Sequence, residues 1–132
     1  YKEALMNVIS GTPICGETHI DKQHEDEVRA HLPSEDEAAD AAAVFTHLSD
    51  TTRVKLLSML AVSDMCVCEM ADLLGMSQPA VSHHLRLLRQ CDVIRFRKRG
   101  QRTVYYLSDN EIGDTVKRLL YAVKNGKGQN NG

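Results

Sequence analysis

Two cysteines separated by a single residue, Cys66 and Cys68, carry the clearest metal-binding chemistry in the chain. Thiolate sulfur prefers soft or borderline ions such as Zn²⁺, Cd²⁺, Pb²⁺, Cu⁺ and arsenite. Inside an ideal helix, side chains at i and i+2 point about 200° apart and could not bind one ion. We therefore predict that a helix begins at or near Cys66, where the helix N-terminus also lowers a thiol pKa.

A helix-turn-helix pattern follows the cysteine pair. Gly75 separates two helical stretches, because glycine readily takes the left-handed conformation that ends a helix. Ser77 is a good N-cap for the second helix, and Pro79 fits its first turn, where a missing N–H costs little. The residues expected to face the core are Ala71, Leu73 and Leu74 of the first helix and Val81, Leu85 and Leu88 of the second.

The other side of the second helix carries side chains that could read DNA. Polar side chains of short and medium length reach base edges and phosphates from a helix in the major groove. The predicted DNA-reading residues are Ser77, Gln78, Ser82, His83 and Arg86. This helix is expected to end near Gln90.

A basic hairpin, or wing, is predicted next. Residues 93–97 alternate apolar and basic, and residues 103–107 are β-branched and aromatic, as expected for two paired strands. The turn between them, 98–102, is basic. The cations predicted to contact flanking phosphates are Arg97, Lys98, Arg99 and Arg102.

The net charge of −2 argues against DNA binding only if its distribution is ignored. Residues 1–50 carry eleven acids and three bases, whereas residues 83–103 carry seven bases and one acid. Screening limits the reach of the distant acids to roughly 8–10 Å. A phosphate backbone would therefore feel the local basic face.

The length of 132 residues, 42% of them hydrophobic, is enough for one core. Because the sequence shows neither a membrane-length apolar run nor a secretory signal, we expect a cytoplasmic protein with no membrane partner. Its four cysteines should then be reduced, with Cys91 as a small buried hydrophobe. The sequence lacks a His-Glu-x-x-His motif and a set of base-positioning residues, so we do not expect an enzyme.

Helices are predicted on both sides of the helix-turn-helix. The capping box 34–37 opens a helix that runs to about Leu48, and Asp50 caps another over 51 to about 61. Local capping signals put the start of the cysteine-bearing helix at Ser63 or Asp64, earlier than its thiol chemistry requires.

A second capping box, 108–111, opens a last helix that we expect to fray from Lys124. The predicted fold is mainly α with a small β-hairpin (α+β), a winged helix-turn-helix. The predicted parts are a metal-binding arm at 1–33, a DNA-binding and dimerisation domain at 34–124, and a flexible tail at 125–132. The first and last helices leave apolar surface without a partner, which favours a homodimer that matches palindromic DNA.

Four stretches, at 48–57, 65–70, 77–85 and 97–106, resemble segments of the ArsR/SmtB metal-sensing repressors. They contain the Cys-x-Cys box, the Ser-His-His-Leu reading helix and the wing, and the resemblance covers about 38–122. It implies a repressor that binds operator double-stranded DNA when metal-free and is released by metal.

The segment from Cys15 to His19 resembles the N-terminal Cys-x-x-x-His of CadC-like members. In those proteins, the arm of one subunit completes a thiolate site on the other. The resemblance therefore implies metal ligands at Cys15, His19, Cys66 and Cys68, with His24 as the alternative imidazole and Zn²⁺, Cd²⁺ or Pb²⁺ as effector. Of the family's second site, on the last helix, only Asp109 is matched, so we expect that site to be absent or impaired.

Other functions remain open at this stage. The same thiols could sense arsenite or an oxidant, and a response that depends on His19 would favour metal. The histidines of the arm could also be solvated side chains without a role. A zinc enzyme or a metal chaperone would leave the basic wing unexplained.

Overall fold

The computed structural model describes residues 21–129, with side chains described as far as Gly126. The chain divides into two compact units, Tyr1–Ser34 and Glu35–Gly132. In the first unit, helix α1 (Lys22–His31) begins after Asp21, whose carboxylate accepts a hydrogen bond from the Gln23 N–H. None of its residues is buried. The sequence had not predicted this helix.

The second unit contains five helices and one hairpin within its described residues. Their bounds are α2 (Glu35–Leu48), α3 (Thr51–Val62), α4 (Val67–Leu74), α5 (Gln78–Gln90), β1 (Ile94–Arg99), β2 (Arg102–Leu107) and α6 (Glu111–Gln129). Asp50 caps α3 through the Arg53 N–H at 3.0 Å, and Ser77 caps α5 through the Ala80 N–H at 3.2 Å, as predicted. This architecture confirms the predicted winged helix-turn-helix.

Three helix boundaries differ from the predicted ones. Helix α4 starts after Cys66 rather than at Ser63 or Asp64, which agrees with the prediction from thiol chemistry. Asn110 caps α6 by accepting the Gly113 N–H at 2.8 Å, and Ser108 is buried. Helix α6 continues past Lys124 to Gln129.

The core of this unit lies where α3, α4 and α5 meet the wing and α6. Its buried residues are Leu56, Leu57, Leu60, Met70, Ala71, Val81, Leu85, Leu88, Val93, Ile94 and Val116. The prediction that Leu73 faces the core was wrong. Its side chain is 65% exposed, and Met70, 0% exposed, takes that place.

The wing is an antiparallel pair in which Ile94 faces Leu107 and Arg99 faces Arg102. Only Gly100 and Gln101 form the turn, which is tighter than predicted, and Gly100 has a φ of 63°. Glycine takes this left-handed conformation without the steric penalty of a side chain. No helix among residues 21–129 has the length and hydropathy of a membrane span.

Candidate metal centre and nucleic-acid interface

The start of α4 brings both thiols to one side. Cys66 is the N-cap residue with an extended backbone (φ −89°, ψ 164°), and Cys68 lies in the first turn. Because Cys66 is not helical, the opposed directions of an i, i+2 pair do not apply, and the two Sγ atoms lie 2.9 Å apart. Cys66 is buried, whereas Cys68 is exposed.

Two charged side chains flank the thiols. The Cys66 thiol donates to Glu69 Oε1 at 2.9 Å, and the same carboxylate oxygen lies 3.5 Å from the Cys66 N–H. Arg102, the first residue of β2, donates through Nη2 to Cys66 Sγ at 3.7 Å and lies 4.0 Å from Glu69 Oε1. The thiol pair therefore lies between an acid of its own helix and a cation of the wing.

This environment shifts the pKa values of the two cysteine thiols in opposite directions. Burial, followed by hydrogen bonds to Cys68 and Glu69, raises the pKa of the Cys66 thiol. The hydrogen bond with Cys66, followed by the interaction with the Arg102 guanidinium, lowers the pKa of the Cys68 thiol. Cys68 is thus the first of the pair to become a thiolate, the form that binds metal.

The pair fits part of a soft-metal site. Tetrahedral coordination with metal–sulfur bonds of about 2.3 Å places two sulfurs about 3.8 Å apart, so these thiols need only a small side-chain rotation. Two sulfurs do not complete a site, and residues 21–129 contain no cluster of three or more His, Cys, Asp or Glu residues that could hold a metal. Further ligands would have to come from outside this part of the chain or from a second subunit.

The other predicted ligands belong to the part of the chain before Glu35 and not to the unit that contains the thiols. Cys15 and His19 lie outside the described residues. His24 is exposed on α1, in the first unit. Asp109, the matched residue of the second family site, precedes α6, which begins at Glu111.

Helix α5 exposes most of the predicted DNA-reading residues. Its buried stripe, Val81, Leu85 and Leu88, fixes the opposite face toward solvent. On that face Ser77, Gln78, His83 and Arg86 are exposed, and Ser82 is half-buried. His84, the neighbour of His83, is half-buried, so the two adjacent imidazoles lie in different environments.

The wing cations differ in their partners. Arg97 donates to Asp64 Oδ2 at 2.5 Å and lies 4.8 Å from the centre of the Tyr106 ring. Lys98 and Arg99 are exposed beside the turn, while Arg102 contacts the thiol pair. Sequence reasoning missed Asp64 and Glu69 as partners of wing cations, although the Cys-x-x-Glu spacing resembles a capping box and gave a signal for Glu69.

A backbone bridge joins the residue before the thiols to the wing. The Met65 N–H donates to the Tyr105 carbonyl at 3.1 Å, and the Tyr105 N–H donates to the Met65 carbonyl at 2.8 Å. The approach to α4 therefore pairs with β2 like a short third strand. The candidate metal centre and the wing are structurally continuous.

The structure combines a solvent-facing reading helix, a basic wing and a thiol pair that is hydrogen-bonded to that wing. These features define a winged helix-turn-helix regulator. Residues 50–95 match the family described as "Bacterial regulatory protein, arsR family". The chain belongs to the ArsR family, as the resemblance in its sequence implied. Members of this family are DNA-binding transcriptional regulators and not enzymes, which confirms the prediction of a non-enzymatic function.

Two relatives match most of the chain. A "Transcriptional repressor SmtB homolog" from Synechocystis sp. is 34% identical over 100 residues, which are 76% of each protein. A "Cadmium resistance transcriptional regulatory protein CadC homolog" from Staphylococcus aureus is 37% identical over 110 residues, 81% of this chain and 88% of that protein.

Solved structures show the same fold. HlyU from Vibrio cholerae is 30% identical with a TM-score of 0.58, over 65% of this chain and 94% of that one. A homodimeric winged helix-turn-helix domain from Mycobacterium bovis, described as a possible ArsR-family regulator, is 25% identical with a TM-score of 0.61. That comparison covers 76% of this chain and 92% of the other.

Proposed function

We propose that this protein is a metal-responsive transcriptional repressor that binds operator DNA when metal-free and releases it on binding Zn²⁺, Cd²⁺ or Pb²⁺ through cysteine thiolates. The observation that carries the proposal is the 2.9 Å separation of the Cys66 and Cys68 sulfurs at the start of α4. One short helix separates these donors from the turn that leads into the reading helix.

The proposed ligand set adds donors from the arm. Cys15 supplies a third thiolate and His19 an imidazole, with His24 as the alternative. Three thiolates with or without one imidazole suit Zn²⁺, Cd²⁺ and Pb²⁺. The names of the SmtB and CadC homologues support a repressor role and a metal effector.

A homodimer would present two reading helices to a palindromic operator. A groove of about 450 Å³ between α2 and α6 is lined by apolar side chains that need cover, including Val44, Phe45, Leu48, Ile112 and Leu119. A second copy of the chain would bury this groove. The two-fold symmetry of such a dimer matches that of a palindromic DNA site. The homodimeric relative from M. bovis supports this assembly.

The DNA contacts fall into two groups. Ser77, Gln78, Ser82, His83 and Arg86 enter the major groove, and the wing cations Arg97, Lys98, Arg99 and Arg102 contact flanking phosphates. Metal need change the affinity for DNA by only 1–3 kcal/mol, roughly 5- to 150-fold, for useful regulation. The repressor would act in the cytoplasm, where the chromosome lies.

The test begins with a DNA site selected from random oligonucleotides by the metal-free protein. Anisotropy of the labelled site and thiolate-to-metal absorption are then followed together while Zn²⁺, Cd²⁺ or Pb²⁺ is added. Cys68→Ser should abolish release and leave metal-free binding intact. Cys91→Ser is the matched control, because Cys91 lies after the reading helix and its thiol donates to the Leu88 carbonyl rather than to the thiol pair. Unchanged wild-type affinity at saturation with all three metals would refute the proposal.

A thiol-based sensor of arsenite or oxidants is the second candidate, because Cys66 and Cys68, together with Cys15, could also bind arsenic or react with an oxidant. An "Arsenic resistance transcriptional regulator ArsR1" from Pseudomonas putida is 37% identical over 81 residues. The discriminating variant is His19→Ala. A weaker response to Zn²⁺, Cd²⁺ and Pb²⁺ in this variant favours metal, whereas DNA release by arsenite or peroxide that is unaffected by the substitution favours the thiol sensor.

A further inference from the structure

We propose that Arg102 couples the thiol pair to the wing, contributing to DNA affinity only while the sulfur of Cys66 is free to accept its hydrogen bond. The inference rests on the proposed function and names the side chain through which the metal-binding thiols would act on the DNA-contacting wing. It makes Arg102 a positioning residue as well as a phosphate contact.

The geometry places Arg102 on the wing and in contact with the thiol pair. Its Nη2 group donates to Cys66 Sγ at 3.7 Å and lies 4.0 Å from Glu69 Oε1. Its side chain is nevertheless 67% exposed. A guanidinium has five N–H donors in a fixed fork, so donors remain for a phosphate while one holds the sulfur.

The contact and a bound metal would use the same sulfur. A metal ion bound by both thiols would hold the two sulfurs about 3.8 Å apart rather than 2.9 Å, so Cys66 Sγ would move from its position beside Arg102 Nη2. Arg102 would then lose its sulfur partner and move away from the start of α4. Its charge would no longer be held where the wing meets the phosphates.

The backbone limits how far this effect spreads. The Met65–Tyr105 bridge holds the middle of β2 against the approach to α4, whereas Arg102 is the residue of β2 next to the turn. The turn-proximal end of the wing is therefore the part that depends on side-chain contacts. Among the described residues, Asp64 holds Arg97 on the other strand in a separate ion pair.

Arg99 provides a matched control. It faces Arg102 directly across the hairpin and has the same charge and a similar exposure to solvent. Within residues 21–129 it has no ion pair and no contact with a thiol. Both arginines are placed for a phosphate, but only Arg102 contacts the candidate metal centre.

The experiment measures DNA affinity against salt concentration for wild type, Arg102→Met and Arg99→Met, each metal-free and Cd²⁺-saturated, with saturation followed by thiolate-to-metal absorption. Each phosphate contact contributes about 0.9 to the slope of log K against log salt. Wild type should lose about one contact per subunit, or about two per bound dimer, on Cd²⁺ binding. For Arg102→Met, the slope of log K against log salt should be the same in the metal-free and the Cd²⁺-saturated protein. The loss of DNA affinity that Cd²⁺ causes in this variant should be smaller than in wild type by about fivefold.

Arg99→Met should weaken binding by the same factor in both states and keep the wild-type slope difference. Equal metal-induced losses for Arg102→Met and Arg99→Met would overturn the inference while leaving the proposed function intact. A wild-type protein that keeps its DNA at Cd²⁺ saturation refutes the proposed function itself, so the two failures are distinguishable. If Arg102→Met does not fold, Arg102→Lys serves instead. This variant keeps the positive charge, and its slope of log K against log salt should be the same in the metal-free and the Cd²⁺-saturated protein.

Discussion

At the scale of single residues, the two neighbouring thiols differ in ionisation although their sulfurs are 2.9 Å apart. Cys66 is shielded from water and donates to Glu69, which raises its pKa, whereas Cys68 is exposed and its pKa is lowered by the hydrogen bond with Cys66 and by Arg102. A bound ion would thus meet one thiol that ionises more readily than its neighbour. Metal binding at this site should release protons.

Alkylation should reveal this difference. The thiolate is the reactive form, and a lowered pKa makes it available at lower pH, so Cys68 should react with iodoacetamide at a lower pH than Cys66. Peptide mapping by mass spectrometry across a pH series would measure both rates in one sample. Cys91, whose pKa is raised by burial, serves as an internal slow reference. Equal pH midpoints for Cys66 and Cys68 would contradict the prediction.

Two leucines of the helix-turn-helix should differ sharply in their contribution to stability. Leu85 is 0% exposed, so Leu85→Ala should lower the free energy of unfolding by about 2–5 kcal/mol through lost burial and a cavity. Leu73 is 65% exposed, and Leu73→Ala should change it by no more than about 0.5 kcal/mol. Urea denaturation at one fixed protein concentration compares them. Similar losses would show that Leu73 is covered in the protein in solution.

The misplacement of Leu73 has a physical cause. Helix α4 has only eight residues, so its apolar periodicity hardly distinguishes Met70 from Leu73 as the inward residue. The residue at which a helix starts does not alter the period of its side chains. It does decide which neighbouring elements each face of the helix can contact. The longer α5 gave three correct core residues, Val81, Leu85 and Leu88, because its stripe spans several turns.

At the scale of elements, Asp92 joins the reading helix, the wing and α6. It has a positive φ of 55°, which is uncommon for a residue with a side chain. Its carboxylate accepts two hydrogen bonds from Arg95 at 3.0 Å, and Asn110 Nδ2 donates to Asp92 Oδ2 at 3.1 Å. These bonds hold a strained junction in place. The bond from Asn110 connects residues 18 positions apart, so no local sequence pattern could predict it.

Two glycines of α6 should respond oppositely to alanine. A Cβ at Gly113 would lie 2.0 Å from the Ser108 carbonyl oxygen, so Gly113→Ala must shift the helix and should cost about 1–3 kcal/mol or more. Gly126 has nothing within 4 Å of such a Cβ, and Gly126→Ala should gain up to about 1 kcal/mol of helix propensity. Thermal unfolding of the two variants at equal concentration gives the sign of each effect. Stabilisation by Gly113→Ala would contradict the close approach of α6 to Ser108.

At the scale of the whole molecule, the exposed apolar groove between α2 and α6 should set the assembly state. Phe45 is 71% exposed and Leu119 55% exposed, and both line the groove. Phe45→Glu should therefore give a monomer with at least tenfold weaker operator binding, a loss of about 1.4 kcal/mol or more. Sedimentation velocity and anisotropy measure the two effects. Val62→Glu, at an 88% exposed residue outside the groove, is the control that should stay dimeric.

The sequence alone could predict the order of the elements from α2 to α6, since capping residues and apolar periods are local signals. It predicted the reading helix correctly, and it correctly placed both cysteines at the start of another helix. It could not place Arg102 against Cys66, because that contact joins residues 36 positions apart through the pairing of the wing. Helix α1 escaped prediction because most of its residues are polar and none is buried.

The paired backbone of Met65 and Tyr105 has a consequence for how this regulator tolerates change. Its two hydrogen bonds use main-chain atoms alone, so most replacements at either position would keep them. Proline is the exception, since it lacks the N–H that each partner donates. The region proposed to bind the effector could thus exchange its side chains for others, and so adapt to a new inducer, while its backbone stays paired with the hairpin proposed to contact the operator.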